Sequence, residues 1–496
     1  MEKSKRLHTG VEGLDLILDG GLIHQKTYLL RGGPGTGKTT LGIHYLIEGV
    51  KNGEKSTLIT LTENKNKLVN DFNNRNFDLE KINFIDLTPS SKLIEDNQNY
   101  NVFSVEEVEK KSIIEKIIEE LKDSNADRVY FDGITQLRFL AKNEFQFRNE
   151  ILSLIQFAVD KKMTLLISSE ANKNRPDNDL QFMTDCVIDL NFINKNRRYI
   201  NISKFRGSDF ICGKHSLKLT EKGMEVFPKL KLKKNKFNYN NKMISSGIIE
   251  VDNLLHGGIE KGTTTVISGA SGVGKTTLGL QFLQAASKRG ERSVVYTFEE
   301  DDRTLLKRAE SININLGNMI DEDKLKIKKV DPLEFTPGEF THLLIKEAEK
   351  NDTKTIMLDS VSGYRLSFAG LSEAKNEIIR NLHSLTNYLN NTGITVLLIN
   401  EIDNITGDFK ATELGISYLA DNIMFLRYLE FSGELKKAIG VLKKRLSDFE
   451  KQMREFEITN KGIKVGKPLT HLRGILTGNP EFINNDFKGS SKNGFK

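Results

Sequence analysis

A chain of 496 residues is too long for one ordinary hydrophobic core and requires roughly two to four domains. Its 38% hydrophobic and 28% charged residues are the composition of a folded globular protein, which excludes a disordered chain. The net charge of +6 comes from 73 basic and 67 acidic residues spread along the sequence, a balance that permits nucleic-acid partners without indicating them.

The N-terminus, MEKSKRLHTG, lacks the apolar run of a secretory signal, and no later stretch approaches the roughly 18 apolar residues of a membrane helix. The expected location is cytoplasmic, with no membrane partner. Tyr28-Leu29-Leu30 is a short apolar strand that runs into a glycine loop, and a helix is predicted to begin near Lys38. Ile113, Ile114, Ile117, Ile118 and Leu121 share one helix face ahead of the strand Arg128-Val-Tyr-Phe131, which ends at Asp132. Cys186 and Cys212 have neither CxxC spacing nor a His cluster, so no disulfide framework or zinc site is expected. Residues 228–242, PKLKLKKNKFNYNNK, are expected to be a solvated linker; the sharper reading, a DNA patch with Phe237 and Tyr239 stacking on bases, carries less weight. Beyond it the pattern starts again: strand Thr265-Val-Ile267, a second glycine loop, a helix from near Lys275, a helix face with Leu343, Leu344 and Ala348, and strand Thr355-Ile-Met-Leu358 ending at Asp359. Strands alternating with amphipathic helices in both halves predict an α/β fold of two tandem domains, each a mostly parallel twisted sheet flanked by helices. The expected boundaries are 1–230 and 243–480, with a tail over 481–496.

The repetition is a duplication. Gly10, Asp15, Gly20-Gly21 and the first loop reappear as Gly247, Asp252, Gly257-Gly258 and the second loop at a constant offset (275 − 38 = 237), and Thr60-Leu-Thr-Glu63 is matched by Thr297-Phe-Glu-Glu300.

The pattern Gly-x-x-x-x-Gly-Lys-Thr stands twice, complete, between a strand and a helix. Glycines let the backbone close around phosphates with its N–H groups turned inward, and the helix N-terminus adds positive potential. The nucleotide-binding candidates are Gly32, Gly33, Gly35, Thr36, Gly37, Lys38, Thr39 and Thr40, and Gly269, Ser271, Gly272, Val273, Gly274, Lys275, Thr276 and Thr277. Lys38 and Lys275 would reach the β- and γ-phosphates of ATP, while the Thr39 and Thr276 hydroxyls would hold Mg²⁺ with Asp132 and Asp359. An Asp after a strand can equally cap a helix; its recurrence at the same place in both halves favours the metal role. Glu299 and Glu300 are candidate hydrolytic acids in the second half and Glu63 in the first, where Thr62 can only hydrogen-bond, so the halves are expected to differ in chemistry. For Glu63 a surface or capping role carries equal weight.

These segments, together with Leu358-Asp-Ser-Val-Ser362, Ile416-Ser-Tyr-Leu-Ala-Asp-Asn-Ile423 and Arg473-Gly-Ile-Leu-Thr-Gly-Asn-Pro480, resemble the KaiC-like family of the RecA superfamily from about Lys3 to Pro480. The resemblance implies two tandem RecA-like P-loop domains and homohexameric double rings with ATP at the seams between subunits, where a neighbour supplies Lys204 and Arg206 in the first ring and Lys443 and Arg445 in the second. It also implies serine/threonine autokinase activity in the second domain with Ser417 as acceptor; Tyr418 stands where the family has an aliphatic hydroxyl, and Thr412 is a second candidate. The expected activity is that of a Mg²⁺-dependent ATPase working as an oligomeric switch for a regulatory protein partner. A DNA-dependent motor is disfavoured because there is no zinc module, basic domain or stacking-aromatic cluster. A scaffold that binds nucleotide with little turnover fits Thr62 better than Glu299 and Glu300.

Overall fold

The computed structural model describes residues 5–75, 77–88, 113–170, 177–193, 197–231, 242–368, 374–402, 416–431, 433–477 and 480–482. The chain divides into two compact units, Met1–Lys231 and Leu232–Lys496. Most of the linker, the last residues of the tail and Thr412 lie outside the described residues.

The two units repeat one topology. In the first, nine strands lie side by side in the order Asn83–Asp86, Ser56–Thr60, Arg128–Asp132, Thr164–Ser169, Thr27–Gly32, Cys186–Ile193, Arg197–Phe205, His215–Thr220 and Gly223–Phe227. The first six are parallel and the last three add antiparallel. The second unit orders Leu325–Lys329, Arg292–Thr297, Thr353–Asp359, Thr395–Glu401, Thr264–Gly269, Asn422–Phe431, Glu434–Lys444, Arg454–Thr459 and Gly462–Pro468 in the same sense.

Continuous apolar strands demand cover on both faces. Helix Lys38–Lys51 buries Leu41, Ile43, Tyr45 and Leu46 against one face of the first sheet, and helices Ile113–Ser124 and Glu144–Asp160 bury Ile114, Ile117, Leu121, Phe147, Ile151 and Leu154 against the other. Helix Lys275–Lys288 covers the second sheet on one side, and Pro337–Lys350 and Ala374–Asn391 cover it on the other. Helix Pro337–Lys350 begins with a capping box in which the Thr336 hydroxyl accepts from the Glu339 N–H, and its Pro337 sits where no backbone donor is needed.

The strand before each glycine loop is the middle of its sheet, so the loops, Asp132, Asp359 and the turns after Thr60 and Thr297 gather at the carboxyl ends of the parallel strands. Ligands of open parallel sheets bind there.

Candidate functional site

Each loop turns into its helix through a glycine that no other residue could replace cheaply. Gly37 has φ 106° and Gly274 has φ 115°, and a Cβ would come within 2.9 Å of Met224 in the first case and 2.6 Å of Ile458 in the second. Lys38 Nζ lies over its loop and donates to the carbonyls of Gly32 at 2.8 Å and Gly33 at 3.1 Å. Lys275 Nζ donates to Ala270 at 2.8 Å and sits 3.6 Å from the Glu401 carboxylate. Burial lowers the pKa of both lysines, a penalty that phosphate oxygens would offset. The glycine cradle with its ammonium therefore fits a nucleotide polyphosphate in both units.

In each unit the Thr and the Asp expected at magnesium are hydrogen-bonded to each other. Thr39 Oγ1 donates to Asp132 Oδ2 at 2.8 Å, and Thr276 is hydrogen-bonded to Asp359. The surroundings of the two acids differ. Asp132 Oδ1 also accepts from Tyr130 Oη at 3.0 Å and Ser168 Oγ at 2.7 Å. The second unit has Met357 and Ile399 at those places, and desolvation pushes Asp359 up to about 6 against the pull of Thr276 and Arg308.

The candidate hydrolytic acids separate into two kinds. Glu63 and Glu300 are equivalent, and each is paired to the helix that follows it, Glu63 with Lys67 at 2.7 Å and Glu300 with Arg308 at 2.9 Å. Glu299 is different: its Oε1 accepts from Ser360 Oγ at 2.8 Å, and its charge acts on both Lys275 and Asp359. Thr62 occupies the equivalent place in the first unit, beside Gly133.

Lys204 and Arg206 lie away from their own phosphate loop. Arg206 N–H donates to Asp185, whose own N–H donates to Thr27 at the start of the central strand, while the loop begins at its end, Gly32. Five residues of strand separate those levels, about 16 Å. Arg445 is linked through Asp421 to Thr264 in the same way. Lys204 Nζ holds the carbonyls of Gln181 and Thr184, and Lys443 Nζ holds those of Ser417 at 2.9 Å and Ala420 at 2.6 Å. Ser417 therefore sits on the cationic end of the second sheet, and Gln181 occupies its place in the first.

Several residues at the sites escaped the sequence reading. Arg198 lies over the Phe192 ring at 4.9 Å and donates to Gly35 O at 2.9 Å; Lys437 lies over Tyr428 at 5.5 Å and donates to Gly272 O at 3.2 Å. Ser168, Tyr130, Ser360 and Glu401 complete the set. Extending the repeat past the hairpins, where the offset changes by a few residues, would have paired Arg198 with Lys437.

Among the described residues no group of three or more His, Cys, Asp or Glu side chains assembles to hold a metal, so each magnesium site would draw on one Thr, one Asp and the nucleotide itself. No described helix is long and apolar enough to cross a membrane.

A glycine phosphate loop at the end of the central strand of a mostly parallel sheet, with an acid at the end of the next strand but one, defines a RecA-type P-loop domain, and this chain carries two. It belongs to the KaiC ATPase family, whose pattern matches residues 7–231 and again 244–470. It is 29% identical to the circadian clock oscillator protein KaiC of Picosynechococcus over 500 residues, covering 98% of this chain and 94% of that protein. It is 28% identical to the KaiC of Synechococcus elongatus over 499 residues, with 97% and 93% covered, and 26% identical to the circadian clock protein KaiC3 of Synechocystis over 493 residues, with 96% and 95% covered.

Proposed function

We propose that the protein is a Mg²⁺-dependent ATPase that assembles into a homohexamer with ATP at the seams between subunits, and that the second domain carries most of the turnover. The observation behind this reading is the placement of the cation pairs: Lys204 with Arg206, and Lys443 with Arg445, stand at the opposite end of the sheet from the loop of their own domain. Cations in that position serve a phosphate only if the phosphate belongs to another subunit. Asp132 with Thr39 and Asp359 with Thr276 would hold Mg²⁺, which would neutralise charge on the β- and γ-phosphates. Glu299, whose charge acts on Lys275 and Asp359, would orient the attacking oxygen and take its proton. Glu63 and Glu300 are assigned to anchoring their helices.

Ser417 would meet the neighbour's nucleotide with Lys443 and Arg445, which supports autophosphorylation there; Tyr418 is a longer side chain, half-exposed and tilted toward His383. ATP and ADP at the seams would favour different ring arrangements and so present a regulatory protein with two surfaces.

Mixing two inactive variants tests the seam. Lys275→Ala has an intact cation pair, and the double variant Lys443→Ala, Arg445→Ala has an intact loop, so mixed assemblies contain seams with both. Each variant alone should release little phosphate, and re-assembly of the mixture should restore turnover. A mixture as inactive as its components, once mass measurement shows that it has co-assembled, would refute the shared site.

A further inference from the structure

The acids at the two sites are held by different neighbours, and that difference assigns a role to a residue outside the nucleotide motif. Ser360 is buried at the start of helix Val361–Leu366, directly after Asp359. Its Oγ accepts from the Gly363 N–H at 3.2 Å, which uses the oxygen and leaves the hydroxyl proton for Glu299 Oε1 at 2.8 Å. Gly363 lets the helix start close against the strand end, because a Cβ there would come within 2.4 Å of Phe298 Cβ. One oxygen of an otherwise exposed carboxylate is thereby fixed.

The first unit lacks every part of this device. Gly133 takes the place of Ser360, and a Cβ on it would come within 2.7 Å of Thr62 Cγ2. Gly133 has φ 88°, a conformation that a serine would adopt only under strain, and its N–H is bound by Ser168 Oγ at 2.8 Å. The pairs Thr62–Gly133 and Glu299–Ser360 are two alternative solutions at one place in the fold.

We propose that Ser360 is the positioning residue of the second site: it selects the orientation of the Glu299 carboxylate in which one oxygen faces the reacting oxygen. The proposal rests on the reading of Glu299 as the acid that handles the proton. A charge-assisted hydrogen bond of this kind restricts a carboxylate that would otherwise rotate freely in solvent.

The test is a double-mutant cycle on the full chain, with kcat and KM for Mg-ATP measured for wild type, Ser360→Ala, Ser360→Thr, Glu299→Gln and the double variant Ser360→Ala, Glu299→Gln. Ser360→Ala should lower kcat about tenfold with KM within about twofold, since orientation and not binding is lost. Ser360→Thr, which keeps the hydroxyl, should stay within about threefold of wild type, and Ser360→Ala should have no further effect in the Glu299→Gln background. A loss in that background as large as in wild type would show that Ser360 acts only as a helix cap, and an unchanged kcat in Ser360→Ala would overturn the positioning role alone. Full turnover in Glu299→Gln would instead remove the assignment of Glu299, and the proposal with it.

Discussion

The two nucleotide sites share a backbone and differ in the residues around the acid that ends a strand at the site. In the first, Asp132 accepts from Thr39, Tyr130 and Ser168, and the neighbouring turn offers Thr62 and Gly133, neither of which can move a proton. In the second, Asp359 keeps the Thr276 hydrogen bond, is desolvated against apolar neighbours, and shares its surroundings with Glu299, held by Ser360. The first arrangement satisfies its acid within the protein, which suits holding a nucleotide. The second leaves carboxylates whose charges act on one another, the condition under which a group is poised for chemistry. A duplicated fold can thus divide binding from turnover through a handful of side chains.

The largest expected effect follows from removing each loop lysine. Lys275→Ala should cut phosphate release about a hundredfold, the scale of losing a charge that stabilises the transferred group. Lys38→Ala should abolish ATP-driven assembly, while turnover of chains pre-assembled at high protein concentration falls by less than about threefold. Equal losses of turnover in the two pre-assembled variants would break the comparison.

A second contrast lies under the loop helices. A Cβ on Gly42 would come within 2.1 Å of the rigid Tyr130 ring, whereas one on Gly279 would meet the pliant Met357 sulfur at 2.7 Å. Gly42→Ala should destabilise the first domain by about 3 kcal/mol and Gly279→Ala the second by about 1 kcal/mol, read from the two transitions in urea.

Acid should distinguish the domains as well. Burial holds His44 down at about 4, its Nε2 accepting from the Met224 N–H at 2.9 Å, while Gln281 stands at the equivalent place in the second domain. A histidine depressed in the folded state contributes stability that is complete above its unfolded pKa of about 6.5 and is lost as the pH falls toward about 4. Unfolding curves between pH 7 and pH 4 should show the first domain losing up to about 3 kcal/mol through this residue, and His44→Gln should flatten that dependence.

The smallest effect sharpens the comparison most. Thr62→Glu should raise the turnover of the Lys275→Ala chain by less than about twofold, because Gly133 supplies no hydroxyl to orient the new carboxylate. A large gain would show that the identity of residue 62 alone separates the sites.

Much of this was legible in the sequence where chemistry forces a residue type at a fixed spacing. Glycines that must adopt φ above zero, a lysine and a threonine at the start of a helix, and an acid closing an apolar strand leave few alternative readings, and the duplication removed the rest. The parallel sheets followed from the alternation of strand and helix. The roles of Glu63 and Glu300 were not legible, because an acid followed by a basic residue on the next helix looks the same whether it faces a ligand or pairs locally with Lys67 or Arg308. The contacts of Ser360 and Ser168 were not legible for a related reason: a serine beside a strand has many uses, and only the pairing of strands shows which carboxylate it reaches. Lys204, Arg206, Lys443 and Arg445 were found through the family resemblance; their distance from their own loops is a property of strand register that no local pattern encodes.

The division of labour between the sites is tested most directly by phosphate release and gel-filtration mass of Glu299→Gln with saturating Mg-ATP beside wild type. The account predicts an assembly of unchanged mass whose release falls at least about tenfold. Release at the wild-type rate would contradict it and place the chemistry elsewhere.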